Sequence, residues 1–203
     1  MLLECTESQL VLVDYQARLF PAMLDASQTW AQAAVLAQIA RQLSVPVWGT
    51  EQNPSGLGPM PPEIRQHCHK VLAKMHFSAV EEGLGEWLRP EKAAPKGNAR
   101  SLPKHLQKQS DPDRETIVIA GCEAHICLLQ TALDLLEDEF DVWVVTDACS
   151  SRTERNRDAA FDRLAGAGAE LVTTEMVVFE WLRTAEHVDF KFAQGLIKPL
   201  LKG

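Results

Sequence analysis

Residues 116–127 read TIVIAGCEAHIC: five strand-forming residues, a glycine stop at Gly121, and a turn into a helix that carries Cys127. A short apolar run without polar alternation is what a strand buried on both faces requires, and a helix starting directly behind it marks a βα unit of a parallel sheet. The helix expected over residues 124–137 has Ile126, Leu129, Leu133 and Leu136 at helical spacing, and DVWVVT (141–146) supplies the next strand.

Working outward, the same alternation recurs. Strands are expected at 9–13, 46–50, 69–73 and 170–173, and helices at about 27–43, 155–165 and 175–183, with another turn or two of amphipathic helix in the tail FKFAQGLIKPLLKG. Strands alternating with amphipathic helices predict an α/β fold on a mostly parallel sheet. The 203 residues suit a single domain spanning 1–203. The stretch 89–114 holds Pro90, Pro95, Pro103 and Pro112 among Lys, Gln and Ser, and reads as an irregular excursion, a polar surface loop or lid between a helix and the strand TIVIA.

Composition narrows the function. A hydrophobic share of 46%, a charged share of 24% and the lack of a long unbroken apolar stretch argue against a membrane-spanning chain. A formal charge of -8, with Lys and Arg scattered along the chain, opposes binding to a phosphate backbone, so no nucleic acid partner is expected. The opening MLLECTESQLVLVDYQ shows no basic segment or small-residue cleavage site. Five cysteines (Cys5, Cys68, Cys122, Cys127, Cys149) without a CxxC pair suit a reducing compartment, so a cytoplasmic enzyme is expected.

In an open parallel sheet, ligands gather outside the carboxyl ends of the strands where strand order reverses. Three residues fit that position: Asp14 at the end of strand one, Lys74 directly after strand three, and Cys127 in the first turn after strand four. A thiol at a helix start meets unpaired backbone N–H groups and the positive end of the helix dipole, and Lys74 nearby would favour thiolate further. A thiol with an ordinary pKa of about 8.5 is mostly protonated at neutral pH, so a carboxylate such as Asp14 is useful to take its proton. Taken singly, each of the three has an ordinary structural reading: a buried packing thiol, a turn carboxylate, a solvated amine. Their order and placement single them out.

These residues carry a family resemblance. VLVDYQARLFPAM, KMHFSAV, GCEAHICLLQTALDLL and VWVVTDACSSR resemble the isochorismatase-like cysteine hydrolases, and TEQNPSGLGP is most similar to the isochorismatase-domain-containing proteins. The resemblance implies a three-layer Rossmann-like fold with a six-stranded parallel sheet and helices on both faces. It also implies Asp14, Lys74 and Cys127 as the catalytic group, a cis peptide between Cys122 and Glu123, and an oxyanion hole made by the backbone N–H groups of Glu123 and Cys127. It suggests a homo-oligomer acting on a small-molecule substrate.

Metal-binding nicotinamidases of that family carry Asp-x-His after strand two; residues 50–62 here contain no His, so neither a catalytic metal nor another cofactor is expected. The reading is a hydrolase of a small amide or related acyl compound working through a thioester. The alternatives are vinyl ether hydrolysis of the isochorismatase kind, and a non-catalytic binding or scaffold protein on the same fold. Strand one runs into DYQARLF with no glycine-rich phosphate turn, which argues against nucleotide binding.

Among nearby residues, Phe20, Trp48 and Phe77 are candidates for lining the pocket. His125 stands two residues from Cys127, about 200° away around a helix, and is read as peripheral. His67 and His69 are expected to share one solvent-facing side of strand three.

Overall fold

A computed structural model describes residues 2–90 and 114–200. Six strands form one sheet: β1 (Ser8–Val13), β2 (Val47–Gln52), β3 (Lys70–Lys74), β4 (Thr116–Gly121), β5 (Asp141–Val145) and β6 (Glu170–Val172). Every pairing is parallel, in the order β3-β2-β1-β4-β5-β6. The central strands β1 and β4 are apolar along almost their whole length because both faces are covered: Leu10, Val11, Leu12, Val13, Ile117, Val118, Ile119 and Ala120 are all fully buried. Each aliphatic side chain so buried contributes about 1.5–3 kcal/mol relative to exposure.

Helices complete the three-layer α/β arrangement. On one side α1 (Ala26–Gln42) packs against α7 (Thr174–Leu182) and α8 (Phe190–Leu200); elsewhere α5 (Leu129–Glu137) packs against α6 (Glu154–Ala167). Three short helices, α2 (Pro54–Leu57), α3 (Pro62–Arg65) and α4 (Leu84–Leu88), sit in the connections. The later helices start where local chemistry allows. Thr153 and Thr173 accept a hydrogen bond from Asn156 N and Met176 N, capping α6 and α7, and Gly168 ends α6 at φ 104°.

Four expectations need correction. β2 runs on to Gln52, because its ladder with β3 continues through Gln52 opposite Lys74. Lys74 is therefore the last residue of β3 and not the first residue after it. His67 and Cys68 lie in the turn before β3, so His67 and His69 do not share a strand. The tail forms an eleven-residue helix with Ala193 and Ile197 buried, longer than the turn or two expected. The excursion expected at 89–114 falls largely outside the described residues.

Strand order reverses between β1 and β4. The first connections run outward from β1 to β2 and β3, and the chain then crosses back to pair β4 with β1 on its other side. A parallel sheet leaves a crevice at that point, beyond the strand ends. Gly121 lets the two ends converge: a Cβ there would lie 2.3 Å from Val13 O, so no side chain fits.

Candidate active site

Asp14 follows β1 directly, with φ 53°, and its N–H donates to Thr50 O at 3.2 Å. Its side chain is fully enclosed. Thr50 Oγ1 donates to Asp14 Oδ1 at 2.6 Å, while Oδ2 lies 2.8 Å from Lys74 Nζ. That second contact is an ion pair and not an aligned hydrogen bond: Oδ2 accepts none from the described residues. The aligned hydrogen bonds of the ammonium go elsewhere, to Gln52 Oε1 at 2.6 Å, Phe77 O at 3.0 Å and His76 O at 3.4 Å. A buried carboxylate oxygen thus stands beside a cation with a lone pair still open.

Cys127 stands against that pair. Its Sγ lies 3.8 Å from Gln52 Oε1, and the residue is almost completely buried. Burial first, then the Asp14 charge, push its thiol up to about 12; the Lys74 charge pulls the other way, and side-chain contacts with Asp14 and Lys74 add smaller opposing effects. Loss of hydration therefore outweighs the cation and the helix end, both of which favour thiolate. The resting group is a thiol.

The helix carrying Cys127 also differs from the expected one. Residues Ala124–Leu128 form a π turn ahead of α5, with Leu128 N–H donating to Glu123 O at 3.3 Å, a bond spanning five residues. The Cys122–Glu123 peptide is cis. Ala124 N–H donates to Ser150 O at 2.8 Å, and Glu123 Oε2 pairs with Arg152 Nε at 2.7 Å, so the loop after β5 braces this turn.

His125 faces that loop too: its Nδ1 is 3.0 Å from Ser151 Oγ and its Nε2 3.3 Å from Asn156 Nδ2. Cys122 and Cys149 are buried thiols, held protonated by loss of hydration.

The three candidate pocket residues are scattered. Phe20 lines a narrow recess beside Asp14 and Cys122, together with Leu19, Met23 and Trp30. Its ring packs edge-on against Trp30 at 4.8 Å. Phe77 contributes its carbonyl to Lys74 while its side chain is exposed and lines an outer groove with Met75 and His76. Trp48 is not at the site. It lies near the start of β2, at the opposite end of the strand from Gln52, packed at a tilt against Trp87 and His69, and its Nε1 donates to Gln9 Oε1 at 2.9 Å.

Residues that sequence reasoning passed over are Gln52, Thr50 and Gln16. Gln16 clips the end of β2: its Oε1 accepts from Gln52 N at 2.8 Å and its Nε2 donates to Gln52 O at 3.1 Å. Gln52 lies beyond the strand expected at 46–50 and carried no distinguishing signal in the sequence. Among the described residues no group of three or more His, Cys, Asp or Glu is placed to hold a metal ion, and no helix is long and apolar enough to cross a membrane.

Known proteins share this architecture. The chain matches the isochorismatase domain model over residues 8–176. It is 36% identical over 193 residues to isochorismatase domain-containing protein 2 of Homo sapiens, covering 94% of this chain and 83% of that protein. The Xenopus laevis protein of the same name is 36% identical over 190 residues, with coverages of 94% and 83%. Among solved structures, one described as MAR1 ribonuclease from Caenorhabditis elegans superposes with a TM-score of 0.82 at 29% identity, covering 98% of this chain and 93% of that one.

YcaC from Pseudomonas aeruginosa, described with hexane-2,5-diol and covalent acrylamide, shares the fold with a TM-score of 0.77 at 22% identity over 99% of this chain and 94% of that one. The domain match spans every strand that builds the crevice, from Ser8 through β6, and on that footing the chain belongs to the isochorismatase family.

Proposed function

We propose that the chain is a metal-independent cysteine hydrolase of a small amide or related acyl compound. The observation that carries this reading is the open lone pair of buried Asp14 Oδ2, 2.8 Å from Lys74 Nζ and beside a thiol that rests protonated. Asp14 takes the Cys127 proton as the sulfur attacks the substrate carbonyl carbon, and an S–C bond forms. The backbone N–H groups of Glu123 and Cys127 receive the oxyanion. As the tetrahedral adduct collapses, the C–N bond breaks and Asp14 returns the proton to the departing amine, leaving a thioester. Water attacks the thioester carbon, giving a proton to Asp14; the acid leaves and the thiol recovers that proton.

Lys74 never donates in these steps. Its ammonium stabilises carboxylate and oxyanion charge through space, where low dielectric makes the interaction strong. The enclosure of all three side chains supports a small substrate. A polyanionic RNA, which the description of the worm neighbour would suggest, suits a buried site on a chain of formal charge -8 poorly. Self-association into a homo-oligomer belongs to the same proposal, supported by exposed Met75 and Phe77 next to the site; a monomer in sedimentation velocity would remove it.

The test is a screen of primary and substituted amides for amine release, with intact-mass detection of an acyl adduct. An adduct mapped to Cys127 and lost in Cys127→Ser supports the reading. Amide turnover that survives Cys127→Ser would end it.

A further inference from the structure

The acceptor that takes most from Lys74 is not the carboxylate. Gln52 Oε1 receives the ammonium at 2.6 Å and also faces Cys127 Sγ at 3.8 Å, so one carboxamide oxygen touches both other members of the group. Its orientation is over-determined. Gln52 Nε2 donates to Met75 O at 2.8 Å, which turns the oxygen inward, and an inverted carboxamide would set N–H against the ammonium. The backbone of Gln52 is held on both sides by the Gln16 side chain and lies in register with Lys74 on the neighbouring strand.

This arrangement decides what happens at Asp14. An ammonium has three N–H donors, and those of Lys74 are directed to Gln52, Phe77 and His76, leaving Oδ2 charge-paired yet without a hydrogen bond. A hydrogen bond from Lys74 would take one of the two Oδ2 lone pairs and leave the thiol proton to compete for the other beside a directed cation.

We propose that Gln52 is a positioning residue of this site: its carboxamide oxygen draws the Lys74 ammonium off Asp14 Oδ2, keeps that lone pair open for the Cys127 proton, and holds the resting S–H. The proposal rests on the hydrolase reading for its consequence, but its geometry is tested by the thiol alone. In Gln52→Met the S–H loses its acceptor and the ammonium is free to turn toward sulfur and Asp14. The thiolate becomes easier to form, yet the proton transfer to Asp14 is obstructed. In Gln52→Glu a second carboxylate faces the sulfur and the thiolate becomes harder to form.

The experiment compares native protein, Gln52→Met, Gln52→Glu and Cys127→Ser. One measurement is the rate of Cys127 alkylation by iodoacetamide across pH, mapped by mass; the other is the acylation burst with p-nitrophenyl acetate. The expected result is alkylation several-fold faster in Gln52→Met and about tenfold slower in Gln52→Glu, one pH unit of thiol shift, at every pH below the midpoint. The burst should fall in both.

Mere loosening of the site would speed alkylation in both variants, and that outcome, or rates within twofold of native in both, overturns the proposal. Should native protein show no burst that depends on Cys127, the hydrolase reading fails while the alkylation pair still decides the role of Gln52. If Gln52→Met fails to fold by circular dichroism, the isosteric Gln52→Glu alone decides: unchanged or faster alkylation overturns it.

Discussion

Asp14 Oδ2 and Lys74 Nζ face each other at 2.8 Å with both side chains fully shielded from water, one from the end of β1 and the other from the end of β3. A charge pair so enclosed costs desolvation on both sides, and its value lies in the charges being present at that spot.

Removing one partner should therefore be worse than removing both. Lys74→Met leaves the Asp14 carboxylate buried without a countercharge, and breaking a buried pair in this way costs about 3–5 kcal/mol. Urea unfolding of Lys74→Met should show that loss, and the double variant Asp14→Asn/Lys74→Met should recover a large part of it. Equal losses in the single and double variants would mean that the pair contributes through packing only.

Reactivity of Cys127 should move in opposite directions when its two neighbours are neutralised. The Asp14 charge raises the thiol and the Lys74 charge lowers it, on top of the larger effect of burial that brings it to about 12. Asp14→Asn should alkylate faster than native protein and Lys74→Met slower. Turnover should fall in both, by about 10²–10⁴-fold for Asp14→Asn, which loses the proton acceptor. Slower alkylation in Asp14→Asn, or faster alkylation in Lys74→Met, would contradict this assignment.

Alkaline pH should destabilise the fold. Burial is the largest cause raising Cys127 and Cys122 to about 12 and Cys68 to about 11, against an ordinary 9.0; Cys149 is raised as well. These thiols ionise in the unfolded chain before the folded one, so the unfolded state binds fewer protons. Their contribution is fully present below pH 9.0 and is lost as pH rises toward 12. Each thiol adds about 1.4 kcal/mol of loss per pH unit within that window. Urea midpoints measured across it should fall steeply, and Cys149→Ser should flatten the slope.

Two glycines should respond oppositely to a methyl group. Gly121→Ala drives a Cβ to 2.3 Å from Val13 O, a backbone atom that cannot yield without parting β1 from β4. The cost should reach or exceed the upper end of the usual overpacking range of about 1–3 kcal/mol, with loss of the site. Gly166, inside α6, has nothing within 4 Å of such a Cβ, and Gly166→Ala should stabilise by about 0.5–1 kcal/mol. Thermal melts of the two variants check both signs.

Much of this protein is legible without coordinates because it is local. A short apolar run such as TIVIA, closed by Gly121, suits a strand covered on both sides, and Leu129, Leu133 and Leu136 share one face of a helix because of its 3.6-residue period. Those patterns, with the motifs around Asp14, Lys74 and Cys127, are enough to place two residues at strand ends and one in the turn behind β4. What the amino-acid order does not contain is how those ends meet. Gln52 looks like any polar residue after a strand until β2 and β3 pair in register and turn it onto Lys74; Trp48 looks like pocket lining until the same register sends it to the far end of β2.

The state of the thiol is decided the same way. A helix start and a nearby lysine argue for thiolate, but dehydration is a property of everything packed around the sulfur, and only the assembled crevice shows that it prevails. The sequence by itself determined the fold class and put forward Asp14, Lys74 and Cys127 as candidates; the tertiary structure alone decided which carboxylate oxygen stays without a hydrogen bond, because hydrogen-bond direction depends on atoms brought together from the ends of β1, β2 and β3.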